Sequence, residues 1–196
     1  MSHNHLPTFR FPAGTSVAQA EPPQLSKVTL QSPALEVMTD LTTVRAATVA
    51  PASPLAQAEL GMIHQGVRLL FVVNHMPSVD GIISATDLHG ERPMRLVHQR
   101  GVKYEELVVG DVMTALSSID AVDYGALRHA SVAELIEALA RNGHAHLLVI
   151  EQASAGNPMR IRGIVSRTQV ERQLGTRLPA SQIASSFSEI EQALST

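Results

Sequence analysis

One pattern occurs twice in this chain, and few folds accommodate it. Gly81 to Leu88 reads GIISATDL, and Gly163 to Val170 reads GIVSRTQV. The strings upstream repeat in the same order: EVMT (Glu36 to Thr39) returns as DVMT (Asp111 to Thr114), and HQGVRLLFVV (His64 to Val73) returns as RNGHAHLLVI (Arg141 to Ile150). The offset is 75 from Met38 to Met113, 77 from Gly66 to Gly143 and 82 from Gly81 to Gly163, so the second copy lengthens where loops are expected. Self-similarity of this kind calls for two copies of one supersecondary unit that bury their cores by stacking. The 196 residues allow one ordinary domain or two small ones.

The repeated string predicts a short strand running into a helix. Gly81 lets the strand lie beside another backbone without a Cβ in the way, and Ile82 and Ile83 suit a buried strand. Ser84 falls at the strand end and Asp87 in the first turn of the helix. A hydroxyl and a carboxylate so placed serve as a helix cap. They can also take the two hydroxyls of a ribose, with the free N–H groups of the turn open to an anion. Spacing alone leaves both roles open.

The succession of VMT, an amphipathic helix ending in glycine, an apolar strand and the glycine-to-aspartate string of Gly81 to Asp87 resembles the CBS domain. Two copies in tandem resemble a CBS pair, or Bateman module, over about residues 33 to 175. The resemblance implies an α/β (α+β) fold, each repeat a small mixed sheet with helices on one side, the two packed as a pseudo-twofold pair. It implies a regulatory module that binds adenosine-containing nucleotides, AMP, ADP or ATP foremost, between the repeats. S-adenosylmethionine, NAD and cyclic dinucleotides are the alternatives, and no catalysis or obligatory cofactor is implied. Carried over residue by residue, Ser84 and Asp87 meet the ribose, with Gly81, Ile83 and Thr86 in the same string, while Thr43 and Val44 after the first VMT border the base. In the second copy Gly163 and Ser166 match, Arg167 follows them in the string, and Ser118 and His144 lie in the adjoining segments, but Gln169 stands in place of the carboxylate. That second site is expected to be weaker. Gln169 also supports an opposing reading, a dimerisation module whose pockets are vestigial.

The remaining residues bound the function. A net charge of −3 with mixed signs suggests neither a nucleic-acid face nor an anionic-membrane patch. Cysteine is absent, which excludes disulfides and thiolate chemistry. No apolar run approaches the roughly 20 residues of a membrane span, and Met1 to Gly14 lacks a signal-peptide core, so a cytoplasmic protein is expected. No nucleophile elbow and no Walker loop is present, so the chain reads as a binder and not an enzyme. Arg68, just before an apolar strand, is a candidate for phosphate, since arginine forks match phosphate oxygens. His144 and His146 lack a third partner for a metal and read as structural or phosphate-facing.

Along the chain, residues 1–25 predict a flexible arm, 26–100 the first repeat with a charged linker, 101–175 the second repeat, and 176–196 an amphipathic helix carrying Ile183, Phe187, Ile190 and Leu194. In the first repeat, strands are expected at Lys27 to Leu30, Thr42 to Ala50, Leu69 to Val73 and Gly81 to Ser84. Helices are expected from Pro33 and from Ser53, the latter burying Leu55, Ala58, Met62 and Ile63 and stopping at Gly66. In the second, a poor strand at Ser117 to Ala121 precedes a turn at Asp123 to Gly125. A capping box at Ser131 and Glu134 then opens a helix with Val132, Leu135, Ile136, Leu139 and Ala140 on one face, and a hairpin turns at Gly156 to Pro158. The apolar stripes exceed what one small sheet needs, which predicts a homodimer. The protein it regulates is not legible in the sequence.

Overall fold

The computed structural model describes residues 8–18, 26–142, 145–152 and 158–178. A 3₁₀ turn (Ala34–Val37) leads into β1 (Met38–Asp40), β2 (Thr48–Val49), α1 (Leu55–Gln65), β3 (Leu69–Val72), β4 (Gly81–Ser84), α2 (Ala85–His89) and α3 (Glu91–Arg100). The second half follows with α4 (Val109–Val112), β5 (Thr114–Ala115), β6 (Ala121–Asp123), α5 (Tyr124–Leu127), α6 (Val132–Asn142), β7 (His146–Glu151), β8 (Arg160–Ser166) and α7 (Arg167–Leu174). Gly66 ends α1 at φ 63° and Gly175 ends α7 at φ 72°, left-handed positions that glycine adopts without strain. Ser131 opens α6 through a reciprocal box: its N–H donates to the Glu134 carboxylate at 2.7 Å, and the Glu134 N–H donates to its Oγ at 3.3 Å.

The strands form two four-stranded sheets, ordered β2-β3-β4-β5 and β1-β8-β7-β6. Each sheet therefore contains one strand from the other half of the chain. β1 runs antiparallel to β8, pairing Thr39 with Ile164, and β5 runs antiparallel to β4, pairing Thr114 with Ile82. The repeated glycine explains the close approach. A Cβ at Gly81 would strike the Thr114 carbonyl oxygen, and one at Gly163 would lie 2.6 Å from Met38 Sδ and 2.9 Å from the Thr39 oxygen.

Three apolar clusters hold this arrangement. Leu55, Ala58, Met62, Leu70 and Ile83 join helix to sheet in the first half, and Val132, Leu135, Leu139, Leu147 and Val165 do so in the second. Leu69, Phe71 and Leu148, packed with Ile82 and Ile164, join the two sheets face to face. The fold is thus the α/β pair of mixed sheets that the repeat implies.

Several local expectations are corrected. The strand expected over Thr42 to Ala50 shrinks to Thr48–Val49. The Asp40 carboxylate accepts the Thr42 N–H at 2.8 Å and its Oγ–H at 2.7 Å, while the Asp40 carbonyl accepts the N–H groups of Thr43 and Val44, which folds the intervening residues into a turn. In the second half the strand starts at Ala121 and not at Ser117, because Leu116–Ser118 make a 3₁₀ turn. Asp123 to Gly125 is the end of β6 and the start of α5, capped by the Asp123 carboxylate on the Ala126 N–H at 3.0 Å. Lys27 to Leu30 forms no strand, although Val28 is buried and donates its N–H to the Gln173 carbonyl at 3.1 Å. The helix from Pro33 is only the 3₁₀ turn. Ile63 is 66% exposed and Ala140 is exposed, so neither belongs to its helix's buried face. Residues 8–18 are exposed and form no helix or strand. The rest of the expected N-terminal arm, Gly143, His144, the Gly156–Asn157 turn and the C-terminal helix beyond Leu178 lie outside the described residues.

Candidate functional site

The exchange of β1 and β5 decides which side chains meet. Because β1 lies on β8, the chain that follows it passes the end of β8 and the start of α7. One cleft of about 290 Å³ results. Leu41, Val44, Ala46, Phe71 and Ile164 give it an apolar wall, and Thr39, Ser166, Thr168 and Gln169 a polar end. Arg45, Arg68 and Arg172 line it as well, with His146 at one side, and no Asp or Glu is among the described residues that do. None of these three arginines has a side-chain hydrogen bond or ion pair among the described residues.

The corresponding cleft on the other side, about 160 Å³, is lined by Ile82, Ser84, Thr86, Asp87, Thr114, Ile119, Ala145 and His146. Its charge is of the opposite sign, Asp87 being present and arginine absent among the described residues. Here the hydroxyl and carboxylate hold each other: Asp87 Oδ2 accepts the Ser84 Oγ–H at 2.6 Å and its N–H at 2.8 Å, and the Asp87 N–H donates back to Ser84 Oγ at 3.2 Å. In the first cleft Gln169 takes a different partner, accepting from Thr39 Oγ1 at 3.3 Å, and α7 has no side-chain cap. Ser166 therefore keeps its hydroxyl free of the carboxylate lock that holds Ser84.

The expected grouping of residues is corrected accordingly. Val44 and Arg68 share a cleft with Ser166 and Gln169, not with Ser84 and Asp87, since β1, which leads into Val44, pairs with β8 in the other sheet. Thr43 turns its hydroxyl onto the Asp40 carbonyl at 3.0 Å and lines neither cleft, and Ser118 is exposed and lines neither. Gly81 and Gly163 face the exchanged strands, and Ile83 is buried in the helix-side core. Thr86 borders the second cleft. Arg167 is turned away, its Nε on Glu171 at 3.3 Å and its NH2 on the Leu178 carbonyl at 2.8 Å. Arg45 and Arg172 are the residues that the sequence reading missed. Superposing the two copies would have exposed them as cations without a counterpart.

His146 lines both clefts. Burial, and after it the charge of Arg68, lower its pKa from 6.5, while Asp87 pulls the other way.

No family model and no curated protein matches the sequence. Solved structures do match the fold. An uncharacterized conserved protein from Pyrococcus horikoshii superposes with a TM-score of 0.53 at 20% identity, over 78% of this chain and 98% of that one. CBSX2, the CBS-pair protein from Arabidopsis thaliana, solved in complex with AMP, superposes with a TM-score of 0.50 at 21% identity, over 72% of this chain and 94% of that one. This chain has the fold of a tandem CBS pair. In this CBS pair the repeats are the two halves of the chain, the clefts lie where an exchanged strand passes the neighbouring repeat, and among the described residues no helix is long and apolar enough to cross a membrane.

Proposed function

We propose that this CBS pair is a regulatory module that binds an adenosine nucleotide, AMP, ADP or ATP, in the first cleft, and that it regulates another protein without catalysis of its own. The observation that carries the reading is the composition of that cleft: an apolar wall, hydroxyl and amide groups beside it, and a cationic end with no carboxylate among the described residues. An apolar wall accepts a flat base, the polar groups accept ribose hydroxyls, and arginine forks accept phosphate oxygens. The complex of CBSX2 with AMP supports adenosine as the nucleoside. A thermal-shift panel of AMP, ADP, ATP, NAD, S-adenosylmethionine and cyclic dinucleotides tests it. A ligand at 100 times its dissociation constant adds about 2.7 kcal/mol, or roughly 5 to 10 °C for a chain of this size. Absence of any shift from AMP, ADP and ATP overturns the reading.

A second reading, a dimerisation module with vestigial pockets, is favoured by the mutual capture of Ser84 and Asp87 and by Leu60 and Ile63 of α1, 54% and 66% exposed. The two readings share one element, a homodimer through the helices. Light scattering is expected to give twice the chain mass, and a mass that stays near 21.0 kDa over the micromolar range overturns the dimer.

A further inference from the structure

The two clefts descend from one pattern, so the pseudo-twofold supplies its own control. Strand pairing equates Thr48 with Ala121, because they face the equivalent residues Phe71 and Leu148 in the parallel ladders. On that register Arg45 corresponds to Ser118, and the repeated strings equate Arg68 with Ala145 and Arg172 with Gly90. Each arginine of the first cleft thus aligns with a small uncharged residue of the other copy, and of those three Ala145 lines the second cleft. The arginines come from three separate segments: the turn before β2, the turn before β3, and α7.

Their placement is convergent. Arg45 and Arg68 each stand three residues before the Thr48–Phe71 rung of the parallel β2–β3 ladder, and both line the first cleft. Arg172 approaches from the helix side, on the face of α7 that carries Thr168 and Gln169 one turn earlier. Guanidinium groups remain charged at all ordinary pH values, and three that line one cleft with no carboxylate among its described residues leave positive charge for an anion to offset. A monophosphate brings at most about two negative charges to these three cations and leaves one uncompensated. A chain of phosphates does not.

We propose that the first cleft is a polyphosphate site, selective for nucleoside di- and triphosphates over the monophosphate, with Arg45, Arg68 and Arg172 as the residues that count phosphates. The inference rests on the nucleotide reading above for the nucleoside half of the ligand only. The second cleft, with Asp87 and no arginine among its described residues, excludes the same ligand by charge, so one polyanion binds per chain.

Titration calorimetry on the full chain tests this with adenosine, AMP, ADP, ATP, GTP and inorganic tripolyphosphate, on the wild type and on Arg45→Gln and Arg172→Gln. Both arginines are exposed and make no side-chain hydrogen bond or ion pair among the described residues, so unliganded melting is expected to be unchanged. Affinity is expected to rise about tenfold or more per added phosphate, and each variant to lose about ten- to a hundredfold for ATP while adenosine is unaffected. AMP binding as tightly as ATP, or variants that keep wild-type ATP affinity, overturn the proposal. Tripolyphosphate and GTP binding as tightly as ATP, with loss in both variants, sustains the polyphosphate site and overturns the adenosine reading. Binding of none of the six overturns both.

Discussion

At Asp87 one carboxylate oxygen accepts both the N–H and the Oγ–H of Ser84, so the residues that match a ribose clamp are engaged as a capping box. Asp87→Ala removes that box and is expected to destabilise the chain by about 1 kcal/mol, a fall in melting temperature of roughly 2 to 4 °C. Gln169→Ala is expected to lower the melting temperature less, because α7 has no cap to lose and only the long bond from Thr39 goes. Equal losses in thermal unfolding of the two variants would contradict this. Asp40 is tied more firmly. Arg162 donates to both of its oxygens, at 3.0 and 2.8 Å, and the Arg162 guanidinium lies 4.8 Å from the Tyr124 ring centre. Those bonds, with Thr42's, hold the Asp40 carboxyl well below the usual carboxylate range. A carboxyl whose folded-state pKa is depressed stabilises fully above its unfolded value of about 3.9 and loses that contribution as pH falls toward the folded value. Asp40→Asn is therefore expected to lower stability by about 1 to 2 kcal/mol at pH 7 and to lose less than wild type between pH 4 and 2. Denaturant titrations at several pH values measure both. Parallel acid limbs for the two proteins would remove Asp40 from the account.

The elements that matter most are among the shortest, β1 and β5, because their exchange ties each half of the chain into the other's sheet. Gly81→Ala drives a Cβ into the Thr114 carbonyl, a backbone atom that cannot retreat without opening the β4–β5 ladder. At Gly163 the nearest atom is the end of the Met38 side chain, which can swing aside, although the Thr39 carbonyl at 2.9 Å limits the relief. Gly81→Ala is expected to destabilise by about 2 kcal/mol or more and Gly163→Ala by somewhat less, as read from urea midpoints. The reverse order would mean that the β1 contact is the less yielding. Sequence periodicity made the β3–β4 and β7–β8 hairpins, α1, α6 and their caps legible, since those depend on contacts within one copy. It was silent on the exchange. Both copies carry the same VMT string, and nothing in a repeated pattern says whether a strand returns to its own sheet or to its twin's. The misgrouped site follows from that one ambiguity: Val44 and Arg68 were read with Ser84 when the fold sets them beside Ser166. The short β2 had a local cause, Asp40 drawing Thr42 into a turn.

Across the whole molecule the two clefts are joined at His146, which faces Arg68 on one side and Asp87 on the other, with Arg45 and Arg172 lining the Arg68 side. Burial and Arg68 lower its pKa, so the unfolded chain takes a proton near pH 6.5 while the folded chain stays neutral to lower pH. Stability from this group is thus full above 6.5 and declines as pH drops toward the folded value. A phosphate chain beside Arg68 offsets that cation's repulsion and adds negative charge of its own, which raises the His146 pKa and draws in a proton on binding. By linkage the same proton strengthens ATP binding as pH falls from about 7 to 6. It also sets a cation beside Asp87, so that occupancy of one cleft alters the charge lining the other. Phosphate oxygens titrate in this range too, and the variant His146→Gln separates the two sources. Calorimetry of ATP binding at pH 6.5, in two buffers of different ionisation enthalpy, is expected to show greater proton uptake for the wild type than for His146→Gln. Equal uptake in both proteins would leave the proton on the nucleotide and the clefts uncoupled through this residue.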